Sequence, residues 1–164
     1  MGIFIYCAYY IFNILPSLSN VDFLPLLGWS TSPVRTGRRD SKESFFDKAM
    51  AEIPQPNGNI IETLRLFSLR GFDERETVAL LARGLSVSIG TLDNHYYKTL
   101  MRGRGLLFAD QQLMAYEKTA TAVTDYAIDD GIICRTEYAH AMAKLSNFGV
   151  LTGSEGEVRS HLNS

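Results

Sequence analysis

Residues 91–116 read TLDNHYYKTLMRGRGLLFADQQLMAY. Asp93 is a side chain that caps helices, and Tyr96, Tyr97, Leu100 and Met101 follow at the spacing of one buried helical face. Gly103 and Gly105 break that helix. A short helix around Asp110 to Ala115 comes next, then another running to Asp129 with Gly131 behind it. A last helix carries Tyr138, Ala141, Met142 and Leu145 and ends near Gly149. Upstream the same grammar repeats. Asp40 with Glu43, Asn59 with Glu62, and Asp73 with Glu76 each have the spacing of a capping box. Phe45, Phe46, Ala49, Met50 and Ile53 mark one helical face before Pro54 stops the helix. Leu64 and Phe67 mark the next, with Gly71 as its left-handed stop. Val78 and Leu81 mark the third. Breaks are expected near Pro54 to Asn59, Gly84 to Leu92 and Arg102 to Gly105. No run alternates apolar and polar residues as a half-buried strand does. The fold class read from the sequence is all-α.

The chain has 164 residues, 46% of them apolar, and a net charge of −2. That length suits one domain with a real core, and the composition excludes a disordered chain. The charge argues against a nucleic-acid binder, which is usually basic. The basic stretch RTGRRDS, residues 35–41, is offset by Asp40 and Glu43 and reads as a turn ahead of a helix. Residues 1–15, MGIFIYCAYYIFNIL, are apolar except for Asn13. They lack the basic start and small-residue cleavage site of a secretory signal. They are also shorter than the roughly 20 residues of a membrane span. Membrane tethering by this segment is therefore a minor reading, and residues 1–27 form an N-terminal segment of unknown role.

The motifs D-N-x-Y-Y-K and G-L-L-x-x-D-Q-x-L in the quoted stretch resemble the second half of the secretory plant haem peroxidases (class III). The likeness continues through YAHAMAKLSNFGVLTG at 138–153 and TGRRDSKESFFDKAMAEIPQP at 36–56, covering roughly residues 35 to 158. The resemblance implies a partial haem-peroxidase helical fold over residues 28–164 that lacks the distal half. It implies haem b and calcium as cofactors, hydrogen peroxide and small phenolic donors as partners, extracellular secretion, and a part in the response to oxidative stress. The family's eight cysteines are not matched by Cys7 and Cys134. Its haem-ligating histidine belongs in a G-x-H-x-I-G segment after a helix ending V-A-L. Here Val78-Ala79-Leu80-Leu81 runs directly into ARGLSVSIGTLDN, with no histidine.

The resemblance assigns roles residue by residue. Asp110 matches the carboxylate that accepts a hydrogen bond from the haem-ligating histidine and tunes the iron. Without that histidine, the preferred reading of Asp110 is an N-cap of a Gln111–Met114 helix. Asp93, Ser88 and Thr91 match ligands of a calcium site, for which two or three oxygens are too few. Leu85 stands where another carboxylate belongs, and Asp93 as a helix cap is preferred. Pro54 matches a proline whose carbonyl contacts aromatic donors at the haem edge; as a residue it is a helix terminator. His95, His140 and His161 occupy variable positions and read as surface histidines, with His95 a remote substitute ligand.

A peroxidase needs a distal Arg and His to move the peroxide proton and stabilise charge. No R-x-x-F-H arrangement occurs here, so no catalytic residue is assigned. Two readings stand side by side. One is a haem peroxidase by resemblance, catalytically incompetent as written. The other is a non-enzymatic helical interaction module, membrane-tethered chain or mis-spliced family relative.

Overall fold

The computed structural model describes residues 37–54, 57–81, 94–128 and 130–158. Within them lie seven helices: α1 Phe46–Glu52, α2 Ile60–Ser68, α3 Glu74–Leu81, α4 His95–Met101, α5 Phe108–Ala115, α6 Glu117–Ile128 and α7 Ile132–Ser146. No strand occurs among the described residues, only two isolated antiparallel bridges, Arg39 with Leu151 and Asp40 with Glu157. The all-α reading holds. The expected break at Gly84 to Leu92 lies outside the described residues.

Helix α6 is the hub, packing on α3, α4, α5 and α7, while α3 packs most extensively on α7. The reason is in the buried side chains. Ala122, Val123, Tyr126 and Ala127 give α6 a small-and-large inner face, and α4 answers with Tyr96, Tyr97 and Leu100. Small residues let the helices approach while the rings fill the space between them. Phe67 of α2 meets Phe72 edge to face, with ring centroids 5.8 Å apart, an arrangement worth about 0.5–1.5 kcal/mol beyond its buried area.

The start of α3 follows the sequence reading closely. Glu76 N–H donates to Asp73 Oδ1 at 2.8 Å and Asp73 N–H donates to Glu76 Oε2 at 3.0 Å, which is the reciprocal capping box. Asn59 likewise caps α2, its Oδ1 accepting from Ile61 N–H at 2.9 Å. Glu62, however, turns to Arg65 instead of reaching back. Gly71 takes φ +80° after α2, where a left-handed residue is needed.

Two expectations are corrected. Asp40 does not cap a helix. Its backbone is held extended by paired bonds with Glu157, Asp40 N–H to Glu157 O at 2.9 Å and Glu157 N–H to Asp40 O at 2.8 Å. Ser41 Oγ accepts from Glu43 N–H instead, and α1 begins later, at Phe46. Phe45 and Phe46 do not enter a core face either; both are more than half exposed, as is nearly the case for Met101 at the end of α4. Helical spacing marks candidates for burial, but a short helix at the margin of the bundle has no packed layer over it.

Glu76 is the one acidic side chain almost fully buried in α3, and it faces α7. Its Oε2 accepts from Lys144 Nζ at 2.6 Å, and His140 Nδ1 stands 3.9 Å from Oε1. Lys144 also lies 5.0 Å above the Phe72 ring, a cation over an aromatic face. Burial pushes the Glu76 carboxyl up, but Lys144 and the Asp73 N–H outweigh it and hold the carboxyl below its ordinary value.

A group with a depressed folded value stabilises the fold above its ordinary range and loses that contribution as pH falls through the folded value. Acid titration of the melting temperature should therefore show Glu76 stabilising near neutrality and not at strongly acidic pH. Lys144→Met strands the buried carboxylate and should cost about 1–3 kcal/mol, discounted because Lys144 is part exposed. In that variant burial dominates, so the same acid range should show a flattened or reversed slope in thermal melts.

Candidate functional site

The chemistry-bearing residue of the opening stretch, Asp110, sits at the third position of α5 and is buried. The helix begins at Phe108, earlier than the sequence indicated, so Asp110 is not its N-cap. Its Oδ2 instead reaches back to accept from Leu107 N–H at 2.9 Å. That satisfies one of the free donors at the helix start and places negative charge where the helix dipole favours it.

The other oxygen, Oδ1, accepts from the Tyr96 phenol at 3.0 Å across the α4–α5 turn. The turn is tight at Gly105. A Cβ there would stand 2.9 Å from Asp110 Cβ and 3.0 Å from Leu100 Cδ2, closer than real side chains approach. Absence of a side chain at 105 is thus what lets α5 fold back so that the carboxylate meets the phenol.

Tyr96 is the first of three linked rings. Tyr96 and Tyr97 meet edge to face at 5.3 Å, and Tyr97 and Tyr126 at 5.0 Å. All three side chains are essentially inaccessible. Burial, then the charge and hydrogen bond of Asp110, push the Tyr96 phenol well above its ordinary value. Burial does the same for Tyr97, whose hydroxyl has no hydrogen-bond partner among the described residues. Burial also raises Tyr126, with Arg75 pulling the other way. Tyr126 Oη donates to Arg75 O at 3.1 Å, and the Arg75 guanidinium lies 5.1 Å over its ring while pairing with Asp125 at 2.6 Å. Cys134, fully buried in the same core, donates to Gly131 O.

The other sequence candidates fall elsewhere. Pro54 is half-buried at the end of α1. Asp93, Ser88 and Thr91 lie outside the described residues, as does His161. His95 and His140 are exposed on α4 and α7, and neither is a partner of Asp110. Among the described residues no three His, Cys, Asp or Glu side chains cluster as a metal site would need. Among the described residues the partners of the Asp110 carboxylate are the Tyr96 phenol and the Leu107 N–H, and no histidine ring is among them. Sequence reading placed Tyr96 on a buried face but missed it as the partner of Asp110. The only signal was the pair of motifs themselves, separated by the Gly turn.

Comparison with known proteins finds similarity to plant peroxidases. The peroxidase family model matches residues 15–86, reaching further toward the N-terminus than the motifs quoted above. A neutral peroxidase of Ipomoea batatas is 28% identical, over 79% of this chain and 48% of its own length. A basic peroxidase of Zinnia elegans is 28% identical over 82% and 56%, and Peroxidase 45 of Arabidopsis thaliana 25% over 87% and 59%. The chain is similar to these plant peroxidases. It spans about half the length of these curated relatives.

The contrast between neighbouring tyrosines is measurable. Tyr96→Phe removes a donor from a buried charged acceptor and should cost about 1.5–3 kcal/mol in urea unfolding. Tyr97→Phe deletes a hydroxyl that bonds to nothing and should be neutral or stabilising by the same measurement.

Proposed function

We propose that this chain is a helical unit of the plant peroxidase kind, related to enzymes that reduce hydrogen peroxide and oxidise phenolic donors, and that as written it does not itself turn over peroxide. The relatives' names support the reaction class. The second half of the proposal is carried by one observation: Asp110, the residue that would orient a haem-ligating histidine, has Tyr96 and Leu107 as its partners among the described residues and no histidine, and His95, the first histidine of the chain, is exposed. The sequence around it agrees, since no histidine precedes His95 in the chain. Haem iron needs an axial donor held in a preformed site, and Asp110 tunes such a donor only through a hydrogen bond to it.

Secretion, a role under oxidative stress, calcium at Asp93, Ser88 and Thr91, and contact of phenolic donors with Pro54 belong to the same proposal. Each depends on the family likeness, and the Pro54 role also depends on a haem edge. The alternative, a helical module acting through its surface, is favoured by Ile128, Ile132 and Ile133, which are exposed around the α6–α7 turn. Among the described residues no helix is long and apolar enough to cross a membrane.

Titrating the folded chain with hemin should give no saturable one-to-one shift of the Soret band, and guaiacol oxidation by peroxide should not exceed that of free hemin. A stoichiometric shift with donor oxidation well above free hemin would overturn the proposal. Loss of that signal in His95→Ala would then identify the substitute ligand.

A further inference from the structure

The three linked tyrosines differ in what surrounds their hydroxyls, and the differences run in one direction. Tyr126, at one end, has a guanidinium 5.1 Å over its ring and donates to a backbone carbonyl. A nearby cation disfavours removal of an electron from that ring, and a neutral carbonyl is a poor proton acceptor. Tyr97, in the middle, has no acceptor among the described residues. Tyr96, at the other end, donates to a carboxylate at 3.0 Å. A phenol loses an electron most readily when its proton has somewhere to go, and a buried carboxylate is a base in hydrogen-bond reach. Ring-to-ring distances of 5.0 and 5.3 Å connect the three.

We propose that this core is a one-electron oxidation relay in which Tyr126 and Tyr97 pass the electron vacancy to Tyr96, which, with Asp110 as its base, is the residue where the radical comes to rest. The oxidant is a diffusing one-electron acceptor of the peroxyl-radical class. In the step at Tyr96, one electron leaves the phenol through Tyr97 and Tyr126 and reduces the peroxyl radical to a hydroperoxide anion. The phenolic proton moves to Asp110 Oδ1. The O–H bond of Tyr96 breaks, the O–H bond of a neutral Asp110 carboxyl forms, and a neutral tyrosyl radical remains. Burial of Tyr96, 1% exposed, shields that radical from quenching in water. No haem takes part, so the relay stands or falls independently of the peroxidase reading.

The test is flash photolysis of the full chain with photogenerated tris(bipyridine)ruthenium(III) as oxidant. Transient absorption and electron paramagnetic resonance of ring-deuterated tyrosine samples would report the radical. The wild-type chain should give a long-lived tyrosyl radical whose formation slows in deuterium oxide. Tyr96→Phe should abolish the long-lived radical, and Asp110→Asn should lower its yield, because the phenolic proton then has no base in hydrogen-bond reach. Asp110→Asn should also abolish the solvent isotope effect, which a purely structural role would leave alone. Tyr116→Phe, off the relay, should leave the yield unchanged. Tyr97→Phe loses no hydrogen bond and so keeps the fold even if the other variants do not; it should lower the yield by interrupting the relay. A wild-type yield in folded Tyr97→Phe, or in folded Tyr96→Phe, checked by circular dichroism, would overturn the proposal.

Discussion

The carboxylate of Glu76 has to be charged and has to be buried, and the bundle is arranged around meeting both demands. One oxygen closes the cap of α3, which fixes where that helix starts. The same oxygen takes the ammonium of Lys144, which fixes where α7 lies against it. Helix α6 then fills the space beside both, and α4 and α5 pack on α6. Breaking a buried pair leaves an uncompensated charge, a larger effect than the pair's net contribution when intact. Its importance is therefore geometric: few placements of α7 satisfy Glu76, and the observed one does so while laying the Lys144 stem along Phe72.

The parts of this fold that were legible in the sequence are those governed by short-range rules. The Asp73–Glu76 box, the Asn59 cap and the left-handed stop at Gly71 involve residues a few positions apart, so spacing alone specifies them. The buried face of α4 was legible for Tyr96, Tyr97 and Leu100 because the helix packs on α6 and α5. It failed for Met101 at the frayed end. The Asp40–Glu43 spacing was equally suggestive and yet does not make a cap, because a partner more than a hundred positions away claims the backbone of Asp40. Local pattern carries no information about such a competitor.

The site shows the same division. Asp110 was singled out by motif but read as an N-cap; it lies instead at the third position of α5, buried. Its true partner could not be read, since the contact depends on how sharply the chain turns at Gly105. A single missing Cβ sets that angle. The tyrosine contacts are further from sequence still. Adjacent positions 96 and 97 on a helix point in different directions, and only the packing of α6 brings Tyr126 against the second of them.

The strap between residues 39–40 and 151–157 also bears on the order in which the molecule assembles. The Arg39 to Gly156 contact spans 117 positions. Closing so long a loop brings an entropic penalty that local helix formation does not, and contacts of such separation slow folding. Helices α2, α3 and α5 have their own N-terminal caps, and the core lies among the helices and not in the strap. It is therefore a late latch: the bundle condenses first, and the two segments meet only once α7 has delivered residues 151–157 to the place where Arg39 and Asp40 arrive. Removal of the latch would leave the folding rate nearly untouched and appear in the unfolding rate, the kinetic signature of a contact absent from the transition state.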